Sequence, residues 1–207
     1  MDQPVGQQPL GTQISVMLKA RGVDVVFGIP GVHNQELYRG IEQAGLTHVL
    51  ARHEQGAGFM ADGYARATGK PGVCFVITGP GVLNTLTPLG QAYSDSVPVL
   101  LVASCLDEVA FQKGQLHQMN DQEGAAASVT EWSATARTAE AAYGLIDRAL
   151  SDLRPSASGR GLCMCRSSCW RQPPPHRAQL RPHVRFRQKH FRGWTTSCRH
   201  WHRQSGR

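Results

Sequence analysis

The chain is 207 residues long, 41% hydrophobic and 18% charged, enough for one large or two small domains with a substantial core. No apolar run reaches the roughly 18 residues of a membrane span, and Met1-Asp2-Gln3-Pro4 lacks the basic and apolar regions of a secretory leader, so the expectation is a cytoplasmic protein without a membrane partner. The net charge of +7 is uneven: residues 1–154 carry 10 Lys and Arg against all 15 Asp and Glu, a balance of −5, while residues 155–207 carry 12 Lys and Arg and no acid, a balance of +12.

Within residues 1–154, helical and strand patterns alternate. Thr12 stands where it can cap a helix whose Ile14, Met17 and Leu18 share a face and which ends near Gly22. Val25-Val26-Phe27 reads as a short buried strand. Asn34 can cap a helix through Leu37 and Ile41 to Gly45, and Thr47 to Leu50 forms a second strand. A helix opens at Glu54 and stops near Gly69, where a glycine and then Pro71 punctuate the chain. Gly72 to Ile77 is almost wholly apolar, as in the middle of a parallel sheet. A helix from about Val82 to Ser94, a buried strand from Val97 to Ser104, a long polar loop from Leu106 to Gly124, and a helix from Thr138 to about Leu153 complete the succession. It predicts a doubly wound α/β domain, a parallel sheet with helices on both faces.

Glu54 is the carboxylate of most interest. In a first helical turn it faces free backbone N–H groups and the helix dipole, an interaction of roughly 0.3–1 kcal/mol at an exposed site. Gly56 and Gly58 follow it, each costing the helix about 1 kcal/mol relative to alanine, which suggests a flat partner packed close to the backbone. The turns Gly28-Ile29-Pro30-Gly31 and Thr78-Gly79-Pro80-Gly81 lie beyond the ends of strands, where such folds bind ligands. For either loop alone, ordinary turn chemistry is the better account of its glycines and proline, and neither is a dinucleotide or P-loop phosphate motif.

The run RHEQGAGFMADGYARATGKPGV, preceded by FGIPG and followed by ITGPGVLN, resembles the pyrimidine-binding domain of thiamine-diphosphate enzymes of the acetolactate synthase and 2-oxoacid decarboxylase group. The likeness is strong over residues 25–103 and weaker over the rest of 10–154. GIPGVH with GQLHQMNDQ is most similar to a guanidino-2-oxoacid decarboxylase. The resemblance implies that Glu54 is catalytic: the matching glutamate hydrogen-bonds the pyrimidine ring of thiamine diphosphate and promotes proton loss from the thiazolium carbon. It also implies that Pro30, Gly31, Thr78, Gly79, Pro80 and Asn84 line the pyrimidine side, and that Gln122 faces the 2-oxoacid substrate. His33, two residues past Pro30-Gly31, and His117 are further substrate candidates, although a loop histidine is also commonly just solvated. Relatives carry a second domain whose GDG motif holds Mg²⁺ and the diphosphate. This sequence has no GDG, and its near match Ala61-Asp62-Gly63 lies in the Glu54 helix, so no metal site is expected here and the chain alone is expected to be inactive. A homodimer, or a partner carrying the diphosphate-binding domain, is implied.

Residues 155–207 have no apolar period, and hold four of the six Cys and three of the four Trp. They read as a disordered, out-of-frame tail. Back-translating Gly159 to Ser167 and reading from the third base permits Pro-Arg-Pro-Val-His-Val-Gln-Val, similar to the strand that follows the last helix in relatives. Two other readings stay open. Cys163, Cys165, Cys169 and His176 could bind a metal, though without paired CxxC spacing. The basic tail with Phe186, Phe191, Trp194 and Trp201 could bind nucleic acid or other polyanions, making the chain a non-enzymatic binding protein.

Overall fold

A computed structural model describes residues 9–106 and 114–153 and the backbone of 161–166. All of these belong to one of two compact units, Met1–Arg177. In chain order the elements are α1 (Leu10–Ala20), β1 (Val25–Gly28), α2 (Gln35–Gln43), β2 (Thr47–Leu50), α3 (Glu54–Thr68), β3 (Gly72–Val76), α4 (Pro80–Asp95), β4 (Val99–Cys105), α5 (Gln122–Ala127), β5 (Trp132–Ala136), α6 (Ala139–Asp152) and β6 (Gly161–Arg166). The six strands form one sheet in the order β2-β1-β3-β4-β6-β5, and every pairing is parallel. This is the doubly wound architecture expected from the alternating pattern.

Side chains of successive strand residues leave the sheet on opposite faces, and here each face meets its own helices. Val26, Val73, Phe75, Leu100 and Val102 enter a core with Leu10, Ile14 and Leu18 of α1, Leu37 of α2 and Ile146 of α6. Phe27, Cys74, Val76, Leu101 and Ala103 enter the other, with Ala57, Ala61 and Ala65 of α3 and Val82 and Leu89 of α4. Alanines on α3 let it lie close to the strands. Gly72 completes that fit, since a Cβ there would run into the backbone of Ala61.

Several local expectations are corrected. Thr12 is not a cap: α1 starts at Leu10 behind Pro9, and Thr12 is buried within the helix. Asn34 does occupy the cap position of α2, but its side chain makes no cap bond and turns back to the preceding loop. Thr138, where the last helix was expected to begin, caps α6 by accepting from Ala141 N at 3.1 Å. The polar loop after β4 contains α5, capped by Asp121 accepting from Gly124 N at 2.7 Å. β5 is a further strand, at the edge of the sheet. β6 lies beyond residue 154, where the change of composition placed the end of the domain, and fills the slot between β4 and β5. The side chains of Cys163 and Cys165, and Cys169, His176 and the aromatic residues of the basic tail, lie outside the described residues. Among the described residues no helix is long and apolar enough to cross a membrane.

Candidate active site at the switch point of the sheet

From β1 the chain moves outward to β2, and from β3 it moves the opposite way to β4. The order therefore reverses between β1 and β3, and in open α/β sheets a crevice opens at that point beyond the carboxyl ends of the strands. The turns after β1 and β3 flank it and touch each other. A Cβ on Gly31 would meet the end of the Ile77 side chain, which would have to turn aside to admit it.

Glu54 stands at the start of α3 on the same side of the sheet. His53 holds the cap position in extended conformation, and its Nδ1 accepts from Gln55 N at 3.2 Å. Glu54 is half-buried, and the one hydrogen bond made to its carboxylate among the described residues is donated by Asn84 Nδ2 to Oε2 at 2.9 Å. Asn84 belongs to α4, which Gly79 opens with φ 66° and ψ −108° before Pro80 at the first helical position. The turn after β3 thus aims α4 so that its second turn meets Glu54. The two helices approach closely because Gly58 leaves room for Pro88: a Cβ on Gly58 would strike the Pro88 ring. That contact corrects the expectation of a flat partner for Gly58, since its neighbour is α4 itself. Gly56 has nothing within 4 Å of a built Cβ and remains open.

Around the first turn, Gly31 N donates to Asn34 Oδ1 at 2.7 Å and Asn34 Nδ2 to Ile29 O at 3.4 Å, so buried Asn34 fixes Pro30 and Gly31. Beneath it, Tyr38 donates its hydroxyl to Phe75 O at 2.8 Å, and a His48 Nε2 contact reaches Gly28 O at 3.3 Å. Gly28 must lack a side chain because a Cβ would meet both Phe75 O and the Tyr38 hydroxyl. Burial, with smaller contributions from Cys74 and Glu54, pushes the Tyr38 phenol far above its ordinary range, so it stays a donor. Thr78 is buried and its Oγ1 has no hydrogen-bond partner.

His33 and His117 are brought together, ring centroids 5.7 Å apart and edge to face at 83°. Each has a buried Nδ1 without a partner. Burial, and then the neighbouring His117, lowers the His33 pKa from its ordinary value, favouring neutral imidazole. His117 also adopts a positive φ of 63°, and its carbonyl packs on Gly79 where a Cβ would sit. Gln122 is buried, with its amide bonded at both ends to backbone: Oε1 accepts from Gly79 N at 2.7 Å and Nε2 donates to Ser104 O at 2.8 Å. No hydrogen bond or ring contact among the described residues links the Glu54–Asn84 pair to the histidine pair.

Sequence reasoning missed Ser104, Tyr38 and His48. Ser104 was legible in principle as a polar residue closing the apolar run of β4. Tyr38 and His48 carried no signal, because their partners are carbonyls on other strands.

A family model described as thiamine pyrophosphate enzyme, N-terminal TPP binding domain, matches residues 9–125. The chain belongs to that family. Its cofactor is thiamine pyrophosphate, that is, thiamine diphosphate, and residues 9–125 form its N-terminal TPP-binding domain. Among curated relatives, the chain is 54% identical over 149 residues to a "probable 2-ketoarginine decarboxylase" of Pseudomonas aeruginosa, covering 71% of this chain and 27% of that protein. It is 51% identical over 106 residues to an acetolactate synthase of Arthrospira platensis, covering 46% and 18%. It is 38% identical over 136 residues to the mitochondrial acetolactate synthase catalytic subunit of Saccharomyces cerevisiae, covering 63% and 19%. The chain thus spans about a quarter or less of the length of these relatives.

The site's own chemistry suits the pyrimidine part of this cofactor. Glu54 has one oxygen held by Asn84 and the other available to a ring nitrogen. Thr78 Oγ1 is a buried hydroxyl without a hydrogen-bond partner.

Proposed function

We propose that this chain forms the aminopyrimidine side of a thiamine-diphosphate site in an enzyme that decarboxylates or condenses 2-oxoacids, with Glu54 as its catalytic carboxylate. The observation that carries this reading is the Glu54–Asn84 pair at the sheet's switch point. When bound, thiamine diphosphate supplies the electron sink for breaking the bond beside a 2-oxo group. Glu54 would hold and exchange a proton at its second oxygen, toward the pyrimidine ring of the bound cofactor, a role typically worth about 10²–10⁴ in rate. Asn84 fixes the other oxygen and therefore the direction in which the carboxylate faces. Pro30 and Gly31, with Thr78, Gly79 and Pro80, bound the ring, and His33 and His117 face the substrate. The 54% identity to a probable 2-ketoarginine decarboxylase favours a 2-oxoacid bearing a guanidino group. Mg²⁺ and the diphosphate would be held by a diphosphate-binding domain, in a homodimer or on a partner, that completes the site in the cytoplasm.

Calorimetric titration of the chain and its Glu54→Gln variant with thiamine diphosphate tests the assignment. A charged hydrogen bond contributes roughly 1.5–3 kcal/mol, so the substitution should weaken binding about tenfold or more. Equal affinities would remove Glu54 from the site.

A further inference from the structure

Three turns of the candidate site are laced together by a buried polar relay. Gly79 N–H donates to Gln122 Oε1 at 2.7 Å, Gln122 Nε2 donates to Ser104 O at 2.8 Å, and Ser104 Oγ donates to His33 O at 2.8 Å. His117 closes the circuit, with its carbonyl against Gly79 and its ring against His33. Gln122 and Ser104 are both buried, so groups released from this relay would find no water in exchange. The spacing requires a side chain that accepts at one end and donates at the other, and an amide does both. A carboxylate would set an acceptor against the Ser104 carbonyl, and an aliphatic chain would strand both backbone groups.

We propose that Gln122 is a positioning residue: through Gly79 and Ser104 it sets the spacing of the turns that hold cofactor and substrate. The proposal rests on the cofactor assignment above for its consequence, but the relay exists without ligand. Asp121 supports it by capping α5, which fixes where the Gln122 side chain leaves the helix.

The test uses the full chain, with Gln122→Leu and Gln122→Glu, and two readouts. Amide hydrogen exchange followed by NMR should show Gly79 N–H protected in the ligand-free protein and at least about tenfold faster in Gln122→Leu. Thiamine diphosphate should bind Gln122→Leu about tenfold more weakly than the parent chain. Gln122→Glu should match the parent near pH 5, where the introduced carboxyl keeps its proton and donates to the Ser104 carbonyl, and should approach Gln122→Leu towards pH 8. A role in filling space would not give that pH-dependent rescue. Unchanged Gly79 exchange in Gln122→Leu, or a Gln122→Glu profile parallel to the parent, overturns the proposal. If the parent chain fails to bind thiamine diphosphate, the cofactor reading falls, and Gly79 exchange still decides the relay.

Discussion

Gly69 and Gly79 have nearly the same positive φ, 69° and 66°, but opposite surroundings, and replacing each by alanine should separate conformational strain from crowding. Gly69 ends α3 with ψ 5°, in the left-handed helical region, and a built Cβ meets nothing within 4 Å. The cost of Gly69→Ala is therefore the left-handed penalty alone, about 1 kcal/mol. Gly79 has ψ −108°, a combination that side-chain-bearing residues avoid, and its Cβ would overlap the His117 carbonyl. Strain of this kind costs about 1–3 kcal/mol, and moving residues 114–118 away would add to it. Gly79→Ala should thus lose about 3 kcal/mol or more. In urea unfolding, with a slope of roughly 1–3 kcal/mol per molar, the Gly79 variant should shift its midpoint at least about twice as far as the Gly69 variant. Equal shifts would refute the packing of the 114–118 loop on the α4 cap.

Asn84→Ala should weaken thiamine diphosphate binding about tenfold in calorimetry, because Glu54 loses the donor that fixes its carboxylate. Asp24 is held below the ordinary carboxylate range by hydrogen bonds from Lys70 and then Lys19. Its stabilising contribution is therefore complete above the unfolded pKa of about 3.9 and lost as pH falls through the lowered folded value, so Asp24→Asn should flatten the acid limb of the stability curve in low salt. Burial pushes the Cys74 thiol up to about 12, so iodoacetamide at pH 8 should leave the Cys74 peptide unmodified in the native chain and label it after denaturation, as read by mass spectrometry.

Much of the fold was legible because its signals were local. Gly69 with Pro71 marks the end of α3, and continuous apolar runs mark β3 and β4, so both elements fall where pattern places them. β5 escaped notice because Trp132-Ser133-Ala134-Thr135-Ala136 at the sheet edge, although it alternates apolar and polar residues, is short and carries alanines that give a weak hydrophobic signal. α5 is a six-residue helix whose main signal, Asp121 as a cap, was submerged in a polar stretch. The position of β6 between β4 and β5 is set by tertiary pairing, which no local pattern reports. At the site, the motif residues were visible, but the amide geometry was not. Asn84 spends its donor on Glu54, and Gln122 spends both ends of its side chain on backbone, because α4 and α5 bring them to partners far away in sequence.

The most direct test of the central claim is an NMR titration of the 15N-labelled chain with thiamine, thiamine diphosphate and inorganic pyrophosphate in parallel. A chain that supplies the pyrimidine side should show the same shifts at Gly28, Gly31, Glu54 and Gly79 with thiamine and thiamine diphosphate, and none there with pyrophosphate. Shifts produced by pyrophosphate, with thiamine silent, would contradict the account and place the phosphates where Glu54 is assigned to meet the ring.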